Sequence, residues 1–205
     1  MLRAFFLSIS SLLLLALTCG CQQGETSDRL LLSGQTMGTT WSLNMVPGSP
    51  GTDSAVLKQL LQARLDQING LMSTYDPESE LSRFNTLAST DWYPVSEDTA
   101  RVIEVSQEIS ALSDGAFDIS IGPLVELWGF GAAERRAKIP TEEQISNNLA
   151  RVGYKNIHLR RGPTAIRKQI PELQIDLSAV AKGYAVDALA KILQQQGVNN
   201  YLLEI

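Results

Sequence analysis

The sequence predicts an α+β fold, with helices packed on a mixed sheet of short strands. Three observations lead there. Val56, Leu57, Leu60, Leu61, Leu65, Ile68, Leu71 and Met72 recur at helical spacing and form one apolar stripe. Residues 157–160, 164–169 and 172–176 alternate like short strands, the first two joined by Arg161-Gly162-Pro163. Gln174-Ile175-Asp176-Leu177 then leads into a second helical pattern through Ala181, Ala185, Val186, Leu189, Ile192 and Leu193, with Gly197 as its stop.

Taken in order, residues 33–45 are expected to be one extended segment, an edge strand bearing a core aromatic at Trp41, before a turn at residues 47–51. Asp53 or Ser54 opens the first helix. Ser96 starts another through Ile103, Ile109 and Leu112, stopped near Gly115, and Thr141 with Gln144 forms the capping box of a third, ended by Gly153. Residues 201–205 read as a further strand, the kind that is usually central. A chain that stops inside such a strand is expected to be the front part of a longer protein, truncated at the C-terminus.

The first residues describe an export signal. Arg3 precedes an uncharged, mostly apolar run from Ala4 to Thr18, followed by Cys19-Gly20-Cys21-Gln22. That run is short for a spanning helix of about 20 apolar residues. A small residue directly before a cysteine resembles the lipobox of bacterial lipoproteins. Cleavage before Cys21 would leave it as a lipidated N-terminus, with Cys19 a second candidate. Residues 1–20 are then the signal peptide, 21–33 a polar tether and 34–205 one domain. Chain size suits a single core. The net charge of −5, with no basic cluster, excludes a nucleic-acid surface.

Chemistry concentrates in a few places. At the start of the helix near residue 178, Ser178 is expected to cap, and the exposed first-turn N–H groups with Lys182 one turn inside suit an anion. Asp176 could accept from a ligand N–H or help hold a cation. An ordinary capped helix with a salt-bridged lysine is the competing account. Met37 stands near Trp41, and Tyr75 leaves a helix into a turn where it could stack on a flat ligand. Asp118 sits in an apolar run and needs a partner, from the protein or from a ligand, because an unpaired buried carboxylate is costly. The only histidine, His158, has no neighbouring cysteine or second histidine and reads as structural. Phosphate-loop, dinucleotide-fingerprint, CxxC and HExxH motifs are all absent.

Five segments in this order resemble the ApbE family of FAD:protein FMN transferases: Thr36-Met37-Gly38-Thr39-Thr40-Trp41; Met72-Ser73-Thr74-Tyr75; Arg83-Phe84-Asn85; Asp114 to Leu124 with Leu127-Trp128-Gly129-Phe130-Gly131; and Asp176 to Ala185. The resemblance implies a fold of the T-fold-related kind and a Mg²⁺-dependent transfer of FMN from FAD to a Thr or Ser hydroxyl of a target protein, releasing AMP. It implies that Met37, Tyr75, Ala116, Phe117, Asp118, Asp176 and Lys182 contact the flavin nucleotide and that the Ala179 carbonyl is a Mg²⁺ ligand. Many family members have Glu where Lys182 stands. Catalytic residues and most metal ligands are expected beyond residue 205, so residues 1–205 alone are expected to be inactive. Implied targets are subunits of the sodium-pumping quinone reductase and related membrane redox complexes, met by a lipid-anchored enzyme on the periplasmic side of the bacterial inner membrane. An FAD pyrophosphatase and a non-catalytic flavin-binding lipoprotein are the alternatives.

Overall fold

Two short sheets and six helices make up the computed structural model, which describes residues 29–46, 53–132 and 139–205. The signal peptide, Cys21 and the turn at 47–51 lie outside the described residues. Strands Leu30–Thr36 (β1) and Thr39–Met45 (β2) form an antiparallel hairpin, in register from Leu30↔Met45 to Thr36↔Thr39. Residues 33–45 are therefore two strands rather than one, and β1 begins inside the stretch expected to be tether. The break is the two-residue turn Met37-Gly38, whose φ angles of 48° and 72° match the twist of paired strands. Tyr201–Glu204 (β6) adds antiparallel to the other side of β2. The strand of Trp41 is thus central in the described sheet, not an edge.

Every second residue of β2 enters the core: Trp41, Leu43 and Met45 are all buried. Trp41 faces Gly34 across the hairpin and donates its Nε1 proton to Gln62 at 2.9 Å. Helix Ser54–Met72 (α1), capped by Asp53, lies on β1 with Leu57, Leu61, Leu65, Ile68 and Met72 inward. Val56 and Leu60, also in the predicted stripe, remain exposed.

Glu80–Thr86 (α2) and Glu97–Leu112 (α3) follow, capped by Ser79 and Ser96. The inward face of α3 carries Thr99, Val102, Ile103, Ser106 and Ser110, whereas Ile109 and Leu112 point outward. Ser106 and Ser110 donate to Val102 and Ser106 carbonyls of their own helix at 2.7 and 2.9 Å, so small hydroxyls are buried without an unpaired donor. Gly122–Leu127 (α4) and Glu142–Leu149 (α5) come next; the Thr141–Gln144 capping box of α5 forms as expected, and its helix ends four residues before Gly153.

The second sheet is antiparallel, ordered Tyr93–Pro94 (β3), Thr164–Lys168 (β5), Ile157–Arg161 (β4). His158 lies in β4 opposite Arg167, in the strand position expected of it. Residues 172–176 form no strand. Only an isolated parallel bridge, Ile121↔Gln174, marks the predicted ladder. The alternation that suggested one is real, since Leu173, Ile175 and Leu177 are all fully buried, but the Asn85 side chain and a single backbone bond to Ile119, rather than a ladder, hold the segment.

Ser178–Gln195 (α6) packs on α1 and α3. Arg64 of α1 grips Asp98 of α3 through two bonds of 2.7 and 2.9 Å, and the Tyr184 hydroxyl of α6 donates to the same carboxylate. The Arg64 hydrogen bond holds the Asp98 carboxyl below its usual range, while burial and the Asp98 contact push the Tyr184 phenol up to about 12. This knot ties α6 to α3 and α3 to α1.

Candidate functional site

A cleft of about 730 Å³ opens where the β1–β2 turn, the end of α1 and the start of α6 converge. Its volume is in the range of small-molecule sites. Met37 contributes from the turn, Tyr75 from the loop after α1, and Ser178, Ala181 and Lys182 from the first turns of α6. Three of the predicted nucleotide contacts, drawn from a span of more than a hundred residues, therefore line one space.

Met37 reaches it at a conformational cost. A non-glycine residue at φ 48° is in the left-handed region, which disfavours a side chain by roughly 1–2 kcal/mol. Such strain clusters where a side chain has a task. Replacing Met37 by Asn, which suits the first position of this turn before Gly38, is expected to raise stability by about 1 kcal/mol in thermal melts. An unchanged melting temperature would show that the turn stores no strain.

The Tyr75 loop is built by serines. Ser73 Oγ accepts from the Tyr75 and Asp76 amides at 3.1 Å each, and the Ser73 carbonyl accepts from both Ser79 and Ser82 hydroxyls. Ser79 also caps α2 through the Ser82 amide at 3.0 Å. With its backbone held this way, the Tyr75 ring stays 64% exposed, its hydroxyl donating to the Phe130 carbonyl at 3.1 Å. A ring so presented offers a face for stacking.

At the α6 end, the predicted capping is corrected. Ser178 is the first residue of the helix and its hydroxyl caps nothing; Asp176 Oδ1 accepts from the Ser178 amide at 2.7 Å instead. The two-residue spacing suits a short acidic side chain folding over the helix start. Lys182 is exposed on the cleft, with no hydrogen bond or ion pair among the described residues. The salt-bridged account of Lys182 therefore fails, and a cation at the positive end of a helix faces open space. Asp176 itself lines a smaller crevice of about 200 Å³, which shares Thr74 with the main cleft.

The Asp114–Asp118 loop lies elsewhere. Ala116 is exposed, Phe117 packs against the core, and neither lines the described cavities. Asp118 finds its partner within the protein: Oδ1 accepts from the Ser120 amide and hydroxyl at 2.7 and 2.6 Å, and Oδ2 from the Tyr154 amide at 2.8 Å. Its carboxylate serves to knit this loop to residues 153–154.

No three His, Cys, Asp or Glu side chains converge among the described residues, and Ala179, exposed in the first turn of α6, could offer only its backbone oxygen.

Sequence reasoning missed two residues that shape the site. Asn85, quoted only as part of a motif, bonds both backbone groups of Ile175 with its side-chain amide, at 2.8 Å each. Lys168 is fully buried beneath the same segment. No sequence signal marked the second: Thr164-Ala165-Ile166-Arg167-Lys168 mixes polar and apolar residues, and Lys168 does not stand out among them.

The ApbE family profile matches residues 37–205. The chain belongs to the ApbE family. A FAD:protein FMN transferase of Vibrio cholerae is 40% identical over 204 residues, covering 100% of this chain and 59% of the relative. One from Escherichia coli K12 is 39% identical over 194 residues, covering 91% and 55%. Among solved structures, the flavin transferase ApbE of Vibrio cholerae superposes with a TM-score of 0.83 at 40% identity, over 87% of this chain and 57% of that one. The apo form of the Pseudomonas stutzeri flavinyl transferase ApbE gives 0.82 at 34% identity, over 87% and 59%. This ApbE-family chain thus spans between half and three-fifths of the length of the curated relatives it matches. The α+β class agrees with those neighbours.

Proposed function

We propose that the complete protein transfers the FMN part of FAD to a Thr or Ser hydroxyl of a target protein and releases AMP. The observation that carries this is the cleft itself: an exposed aromatic side chain at Tyr75 and a Lys182 cation without a partner among the described residues face one space, in a chain of the ApbE family. Tyr75 supplies a stacking face for the flavin ring, with Met37 against its edge. Lys182 and the N-terminal end of α6 complement the pyrophosphate charge, and Asp176 keeps that end ordered. In the reaction the target hydroxyl oxygen forms a bond to the FMN-side phosphorus. The bond from that phosphorus to the bridging oxygen breaks, AMP takes the electron pair, and the hydroxyl proton passes to a base. Positioning and charge neutralisation dominate such transfers. Mg²⁺ would neutralise phosphate charge when bound, and the Ala179 carbonyl is a candidate ligand among the described residues.

The reading includes a location. An enzyme lipidated at Cys21 and held at the periplasmic face of the inner membrane would meet membrane redox subunits such as those of the sodium-pumping quinone reductase. The full-length protein, incubated with FAD, Mg²⁺ and such a subunit, is expected to add the mass of FMN less water to the acceptor, and chelation is expected to stop the reaction. FMN and AMP accumulating with no labelled acceptor would point to a pyrophosphatase. FAD bound without turnover would leave a flavin-binding lipoprotein, and an unmodified N-terminus in the membrane fraction would remove the anchor.

A further inference from the structure

Residues 170–177 carry Asp176 to the edge of the cleft without the support of a sheet. Three sets of contacts replace it. Asn85 bonds both the amide and the carbonyl of Ile175, the Asp176 amide donates to the Ile119 carbonyl at 2.8 Å, and Lys168 bonds the Leu173 carbonyl. The Lys168 ammonium donates to the carbonyls of Leu173 at 2.9 Å, Asn85 at 3.2 Å and Phe84 at 3.3 Å. It also lies 5.0 Å from the Phe84 ring centroid. One cation therefore ties the last turn of α2 to the segment that leads into α6.

A lysine is an expensive choice for that place. Its residue is 1% exposed, and it has no ion pair among the described residues. Burial lowers its pKa to about 8, against a weaker pull upward from Glu172. An apolar side chain would fill the volume without the desolvation penalty, so packing alone does not account for it. What an apolar side chain could not do is satisfy three converging carbonyls, two of them at a helix C-terminus, where a cation is favoured.

We propose that Lys168 is a positioning residue: through Leu173 and Asn85 it fixes Asp176 and the first turn of α6 against the cleft. Its relevance to catalysis rests on the flavin-nucleotide reading given above. Lys168 lines neither cavity, so its influence on a ligand passes through the backbone it holds.

The test uses the full-length protein with Lys168→Met, Lys168→Gln as a milder variant should the first fail to fold, and Leu43→Ala as a destabilised control in β2. Amide hydrogen exchange reports position without any ligand. Lys168→Met is expected to speed exchange at Ile175, Asp176 and Ser178 by tenfold or more, leaving the β1–β2 hairpin unchanged, and to weaken FAD binding about tenfold in a flavin-fluorescence titration. Leu43→Ala is expected to leave FAD affinity within twofold at temperatures well below its melt. Wild-type protection at those three amides, exchange raised equally throughout the chain, or wild-type FAD affinity in the Lys168 variants would overturn the proposal. A wild-type protein that binds no FAD would instead overturn the reading of the cleft, and the exchange pattern would still decide whether Lys168 positions Asp176.

Discussion

Asp118→Ala is expected to destabilise the protein by about 3 kcal/mol, the cost of stranding donors that had a charged acceptor. The carboxylate accepts three hydrogen bonds, two from backbone amides and one from the Ser120 hydroxyl. Ser120, fully buried, in turn accepts from the Gly153 amide at 2.6 Å. Removing Asp118 therefore loosens two chain segments some thirty residues apart. For a domain of this size the loss corresponds to a fall in melting temperature of roughly 6–12 °C. Asp118→Asn keeps the Ser120 contacts but turns an NH₂ group toward the Tyr154 amide, and is expected to cost about half as much. Thermal melts of both variants check this ordering. An Asp118→Ala protein as stable as wild type would show that these three bonds contribute little to the fold.

Gly34→Ala should be similarly damaging, for a steric reason. A Cβ at Gly34 would lie 2.4 Å from Trp41 Nε1 and 2.5 Å from Gln62 Oε1. Neither atom can yield easily, because the indole is fully buried and the two are hydrogen-bonded to each other. Overpacking plus the lost Trp41–Gln62 bond is expected to cost about 3 kcal/mol in denaturant unfolding. Gly38→Ala supplies the contrast: no atom lies within 4 Å of its added Cβ, and only φ +72° is unfavourable, for about 1 kcal/mol. Equal losses at the two glycines would show that the Trp41 pocket has room to adjust.

How much could be read beforehand follows from which interactions are local. α1 and α5 announced themselves because a helical apolar period and a capping box are written within one or two turns. The 157–168 hairpin was equally plain. α2 and α4, of seven and six residues, are too short to show a period. Residues 172–176 misled for a better reason: burial on alternate sides occurs there, but the strand's usual neighbour is replaced by the side chain of Asn85, ninety residues earlier. The Ser178 capping reading failed because Asp176 occupies the same role two residues sooner. Tyr75 and Lys182 stood out by their chemistry and Met37 by resemblance, and the fold brings the three together. Lys168 was invisible because its partners are backbone carbonyls, which have no signature in a sequence.

The pairing of β2 with β6 has a bearing on biosynthesis. Met45 meets Tyr201, so this contact closes a loop of about 150 residues, among the slowest events in domain folding. At ordinary elongation rates the intervening chain takes on the order of 10–30 s to synthesise. During that interval the β2 edge of the β1–β2 ribbon, with Trp41 and Leu43 on its apolar face, is unpaired. The nascent protein thus passes through a period in which its own partner strand does not yet exist, and a chaperone that shields bare strand edges would serve it then.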